Sequence, residues 1–267
     1  MSRNVGDFVI ERLGEWGIDI IFGYPGDGIN GVLAAPQKAD CPINFVQVRH
    51  EEMAAFMATA YAKFTGGLGV CLSTGGPGAT HMITGLYDAK VDRQPVLAIT
   101  GGAPRGVRGA HYQQELNLDR ALADACLFVQ EAMVPEAVPH ILDQAIRVAT
   151  AGHGVGAVVL PGDLQLEEYR GPPREHGFVR SGSGYSKPQL VPYPADLQRA
   201  AEVLNAGSKV AILIGTGAIG AADEVIVVSE ALGAGVAKRC SASRRCPTTC
   251  PSSPAPSACS APSRRRT

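Results

Sequence analysis

Short apolar runs alternate with segments of helical apolar spacing over the first 166 positions. The runs end at Gly, Pro or polar residues, and they predict strands at residues 18–22, 44–48, 69–73, 95–100 and 156–160. The intervening spacing predicts helices at residues 1–15, 51–64, 81–89 and 139–151. Strands that are apolar throughout and alternate with helices are typical of a parallel sheet covered on both faces. We therefore predict an α/β domain over residues 1–166.

A second α/β pattern follows a segment rich in Gly, Pro, Arg and Ser. That segment, residues 167–190, is predicted to be a linker. A helix at residues 196–205, a strand at 209–214 and a helix ending near residue 232 then predict the start of a second, Rossmann-like domain over residues 191–238. One strand-helix unit is too little to close a core alone, so we expect this domain to be incomplete.

Composition changes abruptly at residue 239. Residues 239–267 hold four of the seven Cys and contain six Arg, but no acidic residue and no Val, Ile or Leu. A zinc site, a basic disordered arm and an out-of-frame tail are three explanations. Cys spacings of six, four and nine positions lack the paired arrangement of zinc sites. A shift of one base permits apolar strings such as Ala-Leu-Leu-Gly, so we expect a disordered, out-of-frame tail on a truncated chain.

Charge and hydropathy exclude several classes of partner. The net charge is -1, which gives no reason to expect nucleic acid. No apolar run approaches the roughly 20 residues of a membrane span, and no basic-then-apolar leader opens the chain. We predict a cytoplasmic protein without a membrane span.

Candidate chemistry lies where the predicted strands end, because ligands of parallel α/β folds bind at the carboxyl ends of strands. Glu51 lies between a strand and a helix. An acidic residue there is favoured by the helix dipole alone, and Glu52 would serve equally well. The functional alternative is a carboxyl group with a raised pKa in an apolar pocket lined by Met53 or Phe56.

Four ordered motifs change that balance. They are Phe-Gly-Tyr-Pro-Gly at 22–26, Arg-His-Glu at 49–51, Ser-Thr-Gly-Gly-Pro-Gly-Ala-Thr-His at 73–81, and Pro-Val-Leu-Ala-Ile-Thr-Gly at 95–101. Together they resemble the thiamine diphosphate-dependent enzymes of the acetolactate synthase and pyruvate oxidase group. The resemblance covers residues 5–238. It implies a complete N-terminal pyrimidine-binding domain and the start of the central domain.

The resemblance also implies roles for individual residues. Glu51 would be the catalytic glutamate, which shares a proton with the aminopyrimidine ring so that the cofactor can attack a 2-keto acid. The implied cofactor-binding residues are Tyr24, Pro25, Gly26, Glu51, Pro77, Gly78, His81 and Gln113. His81 stands where the family often has Asn, and Gln114 is the alternative to Gln113. His50 and His111 could assist proton transfer or be structural.

Cofactors and partners follow from the same resemblance. It implies thiamine diphosphate bound through its pyrimidine half, with Mg²⁺ and FAD in the complete parent enzyme, and a homodimer or tetramer formed through the pyrimidine domain. The substrate would be pyruvate or a similar 2-keto acid. We predict no metal ligands in this chain, and we interpret Gly26-Asp27-Gly28 as part of a turn. A non-catalytic cofactor-binding remnant is the alternative, and residues 215–220 leave a nicotinamide-binding protein open.

Overall fold

A six-stranded parallel sheet organises the first 187 residues in a computed structural model, which describes residues 3–36 and 43–238. Its spatial order is β2-β1-β3-β4-β6-β5. The strands are β1 (Ile20–Gly23), β2 (Asn44–Gln47), β3 (Gly69–Ser73), β4 (Val96–Gly102), β5 (Phe128–Glu131) and β6 (Val155–Pro161). All five strand pairs are parallel. The predicted α/β class is confirmed.

Six α-helices accompany these strands in the described part of this unit; the first precedes β1, and the other five lie between consecutive strands. They are α1 (Val5–Glu15), α2 (Asn30–Leu33), α3 (Glu51–Thr65), α4 (Pro77–Val91), α5 (Leu118–Leu122) and α6 (Val138–Gly152). Local sequence explains several ends. Asn4 and Asp7 form a reciprocal capping box at the start of α1, and Pro77 occupies the first turn of α4, where its missing N–H costs nothing.

Alternating strand residues build one core on each face of the sheet. Leu97 and Ile99 of β4 pack with α1 and α6, whereas Val96 and Ala98 pack with α3, α4 and α5. Successive side chains of a strand point to opposite faces, so a strand covered on both sides must be apolar at every position. The central strands β3, β4 and β6 are buried along their whole length.

The two edge strands depart from the sequence prediction. The expectation that every strand is apolar throughout is wrong for β2, which is only partly buried. Sequence reasoning missed β5 altogether, because Gln130 and Glu131 interrupt its apolar pattern. The short helices α2 and α5 were also unpredicted. Finally, α4 begins at Pro77, four residues before the predicted start, so half of the Gly-rich loop is helical.

Residues 188–238 belong to a second compact unit. Its described part contains α7 (Pro194–Asn205), β7 (Ala211–Ile214), α8 (Ala222–Leu232) and β8 (Gly235–Lys238). The strand β8, which the sequence did not predict, pairs in parallel with β7. The predicted disordered, out-of-frame tail lies outside the described residues. Across residues 3–36 and 43–238, every helix is too short or too polar to cross a membrane.

Candidate functional site

Three loops meet at the carboxyl edge of the sheet. The strand β1 lies between β2 and β3, so the loops that follow these strands are neighbours. Tyr24 follows β1, His50 precedes α3, and Thr74 follows β3. The topology therefore brings together segments that are about 25 residues apart in the sequence, as expected for a ligand site in a parallel α/β fold.

Thr74 joins the first of these loops to the third. Its side-chain oxygen accepts a hydrogen bond of 3.1 Å from the backbone N–H of Gly28. Its carbonyl oxygen accepts one of 2.9 Å from the hydroxyl of Thr100. A Cβ on Gly26 would lie 2.6 Å from the Cβ of Thr74, so the turn approaches this closely only because residue 26 is glycine. Sequence reasoning did not single out Thr74, although a β-branched hydroxyl residue directly after a buried strand was a usable signal.

Gln165 holds the turn that contains Gly28 through hydrogen bonds from the interior of the domain. Its side chain is fully buried, and its amide donates to the carbonyl oxygens of Gly28 at 2.7 Å and Leu160 at 2.8 Å. Its amide oxygen accepts from the backbone N–H of Val32 at 3.4 Å. A buried amide with several partners fixes the position of a loop. No periodic or motif signal marks this residue in the sequence, because the two partners in the turn and in α2, Gly28 and Val32, are more than 130 residues away in the chain.

Glu51 is the buried acid of the site. It is the first residue of α3, and 7% of its surface is exposed. One carboxylate oxygen, Oε2, lies 2.9 Å from Nδ1 of His81, one turn into α4. The other, Oε1, faces Gly78, where a Cβ would lie 3.1 Å from it. The pair can therefore share a proton, while glycine leaves space beside the second oxygen.

His50 completes this cluster. It is the N-cap residue of α3, and its Nδ1 accepts a hydrogen bond of 3.3 Å from the backbone N–H of Glu52. Its ring stacks on the ring of His81 with centroids 4.5 Å apart. Both imidazoles are about half exposed. The cluster thus combines one buried carboxylate with two imidazoles that are accessible to solvent.

The apolar lining expected around Glu51 differs from what surrounds it. Met53 is 50% exposed, because it lies two residues along α3 and points away from the Glu51 side of the helix. Phe56 is partly buried. The Glu51 carboxylate instead makes a polar contact, its hydrogen bond with His81. Tyr24, Pro25 and Pro77 are exposed at the same edge of the sheet.

Gln113 lies outside this cluster, on an exposed turn. Its neighbour Gln114 packs by its backbone against Gly76, where a Cβ would lie 2.4 Å from the Gln114 carbonyl oxygen. Gly76 has a φ of 60°, which glycine adopts without strain. The loop that carries both glutamines therefore lies against the start of α4. Which glutamine serves a ligand stays a prediction.

A cavity of about 310 Å³ lies under this loop, beyond the ends of β4, β5 and β6. His111 lines it, so this histidine is separate from the Glu51 cluster. Glu131 also lines it, and its carboxylate is 2.6 Å from the guanidinium of Arg108. Burial raises the pKa of Glu131, whereas the nearby Arg108 opposes that rise. Sequence reasoning missed Glu131 because it missed the strand that carries it.

A parallel α/β fold with a buried glutamate at a helix start and a Gly-rich loop beside it defines a recognisable class of cofactor-binding domain. Residues 3–122 match the family model described as thiamine pyrophosphate enzyme, N-terminal TPP binding domain. Thiamine pyrophosphate is another name for thiamine diphosphate. The chain carries an N-terminal domain of this enzyme family, which confirms the resemblance seen in the sequence.

Curated relatives agree with this assignment. The chain is 38% identical over 232 residues to pyruvate oxidase of Lactiplantibacillus plantarum, covering 85% of this chain and 37% of that one. It is 34% identical over 238 residues to acetolactate synthase of Arthrospira platensis, covering 86% of this chain and 40% of that one. The acetolactate synthase of Mycobacterium bovis is 34% identical over 214 residues, which cover 79% and 34%. The chain therefore spans well under two thirds of these relatives.

Proposed function

We propose that this chain holds the aminopyrimidine half of thiamine diphosphate and that Glu51 exchanges a proton with it. One observation carries the proposal: a carboxylate that is 7% exposed lies at the loop edge of the sheet. Burying a carboxylate is costly, so its position calls for a purpose or a partner. The residues fit the cofactor, because Gly78 keeps the side of Oε1 free of a side chain while His81 holds Oε2.

The chain's own residues have distinct tasks in this proposal. Glu51 holds a proton at its carboxylate and passes it to or from the cofactor, and His81 orients that carboxylate. Tyr24, Pro25 and Gly26 bind the pyrimidine side, and Gln113 contributes from the facing loop. Pro77 and Gly78 shape the second loop. When bound, the cofactor supplies a carbon nucleophile and an electron sink for decarboxylation.

The activity that we infer for the complete protein is decarboxylation of pyruvate or a similar 2-keto acid. It would be acetolactate synthase-like or pyruvate oxidase-like, by analogy with the two relatives of those names. The same proposal includes Mg²⁺, FAD and a homodimer or tetramer formed through the pyrimidine domain. It also includes domain boundaries at residues 166, 190 and 238. Cytoplasmic location stays a prediction.

A non-catalytic cofactor-binding role is the second candidate. The matched region makes up 37% of pyruvate oxidase and 40% of acetolactate synthase, so the comparison covers only part of either relative. A turnover assay with pyruvate, thiamine diphosphate and Mg²⁺ separates the two candidates. Product formation supports the enzyme, and binding without turnover supports the second role.

Thermal unfolding with and without thiamine diphosphate and Mg²⁺ tests the cofactor assignment. We expect the cofactor to raise the Tm of the wild-type chain and of Glu52→Gln, because Glu52 is half-exposed beside the site. Glu51→Gln should lose most of that rise, since a neutral amide cannot form the short, charge-assisted hydrogen bond that a carboxyl group forms when it shares a proton with a ring nitrogen. If the cofactor raises the Tm of Glu51→Gln as much as that of the wild type, Glu51 does not bind the cofactor. A Tm rise with NAD, and none with thiamine diphosphate, would favour a nicotinamide-binding protein built on residues 215–220.

A further inference from the structure

We propose that His50, Glu51 and His81 form a binding site for a divalent transition metal ion of the zinc type. One candidate ligand atom from each side chain lies within 4.8 Å of the other two. Two imidazole nitrogens and one carboxylate oxygen form a set of three protein ligands that catalytic zinc sites use. The sequence analysis predicted no metal ligand in this chain, and this proposal departs from that prediction because the fold brings His81 to residues about 30 positions away.

The geometry needs one adjustment to accept an ion, a rotation of the two imidazole rings. The ligand atoms of tetrahedral zinc are about 3.3 Å apart, given bonds of about 2.0 Å. Nδ1 of His81 and Oε2 of Glu51 are already 2.9 Å apart. The two imidazole rings are stacked 4.5 Å apart and are half exposed, so they can rotate toward a shared ion that enters from solvent.

Charge also favours a cation. The N-terminus of α3 carries a partial positive charge that opposes one. Once a metal ion displaces any proton on it, the Glu51 carboxylate would carry a full negative charge, which acts more strongly than the helix end on an ion in direct contact. His50 can bind through its second nitrogen, because Nδ1 already accepts the backbone N–H of Glu52. A metal ion bound here would be coordinated by the Glu51 carboxylate in the absence of thiamine diphosphate.

Cobalt titration of the full chain, with accessible thiols first alkylated, tests this proposal. Co²⁺ substitutes for zinc, and its visible spectrum reports nitrogen and oxygen ligands. We expect the wild type to bind one equivalent that His50→Gln and His81→Gln bind more than tenfold less tightly. His176→Gln changes an exposed histidine of the segment before the second unit and should bind like the wild type. Identical isotherms in all four proteins would overturn the site.

Proton NMR of the unmodified wild type supplies a measurement that does not depend on variant folding. Titration with Zn²⁺ should move the ring signals of His50 and His81 together and leave that of His176 in place. Unmoved signals at His50 and His81 would overturn the proposal. Because both experiments omit thiamine diphosphate, failure here leaves the proposed cofactor role standing, and failure of that role leaves the metal site standing.

Discussion

At the scale of single residues, the side chain absent from Gly78 controls the space around Glu51. A Cβ on residue 78 would lie 2.7 Å from Cγ2 of Thr74 and 3.1 Å from Oε1 of Glu51. Thr74 cannot withdraw easily, because it is buried and its hydroxyl accepts the Gly28 N–H. One methyl group would therefore disturb both the loop contact and the carboxylate.

We expect Gly78→Ala to lower the free energy of unfolding by about 1–3 kcal/mol, the usual cost of overpacking. It should also reduce the Tm rise given by thiamine diphosphate. Urea unfolding and thermal unfolding measure the two effects. Gly14→Ala is the matched control, because a Cβ there meets nothing within 4 Å and α1 gains a better helix former. Gly78→Ala with wild-type stability would contradict the packing.

At the scale of elements, an ion pair ties the segment after β4 to the segment after β6. The side chain of Arg105 donates to Asp163 at 2.9 Å, and its backbone N–H donates to the same carboxylate at 3.0 Å. Burial alone would raise the pKa of Asp163, but these hydrogen bonds and the Arg105 charge lower it. The pair therefore fixes two neighbouring loops at the edge that carries the site.

This lowered pKa predicts a pH dependence of stability. An acid whose pKa is lower in the folded state stabilises the fold above its unfolded pKa, about 3.9 for Asp. That contribution disappears as the pH falls through the folded pKa. We expect Asp163→Asn to be less stable than the wild type at pH 7 and to approach it below about pH 4. Urea unfolding at both pH values measures this, with exposed Asp88→Asn as the control. A constant difference would refute the linkage.

The elements also divide by how much the sequence says about them. The bounds of β3 (Gly69–Ser73) were predicted to the residue, because its apolar run is closed at both ends by Gly or polar residues. The strand β5 was missed because an edge strand need not be apolar on both faces. The start of α4 at Pro77 was missed because a Gly-Pro-Gly segment more often indicates a turn.

At the scale of the whole molecule, both cores of the sheet are built within the first unit. Their buried residues all precede residue 165. The segment that starts the second unit is exposed to solvent: Leu190 is 91% exposed and Tyr193 is 78% exposed. The first unit therefore has what it needs to fold without residues beyond this segment.

Limited proteolysis with chymotrypsin should cut early after Leu190, because exposed chain without helix or strand is accessible to proteases. The bond after Tyr193 should stay intact, because chymotrypsin does not cleave before proline and residue 194 is Pro. We expect the N-terminal fragment to keep a single cooperative unfolding transition. Mass spectrometry locates the cut, and circular dichroism during heating measures the transition. A fragment that unfolds gradually would mean that the second unit supports the first.

The sequence by itself determined the α/β class, the central strands and the family, because apolar runs and ordered motifs are local patterns. It also pointed to Glu51, through its place between a strand and a helix. Tertiary structure alone decided what Glu51 contacts. His81, Gly78 and His50 surround it because parallel pairing brings the ends of β2 and β3 to one edge through β1. Spacing along a chain does not specify distances across a sheet, so this cluster could be read only from the fold.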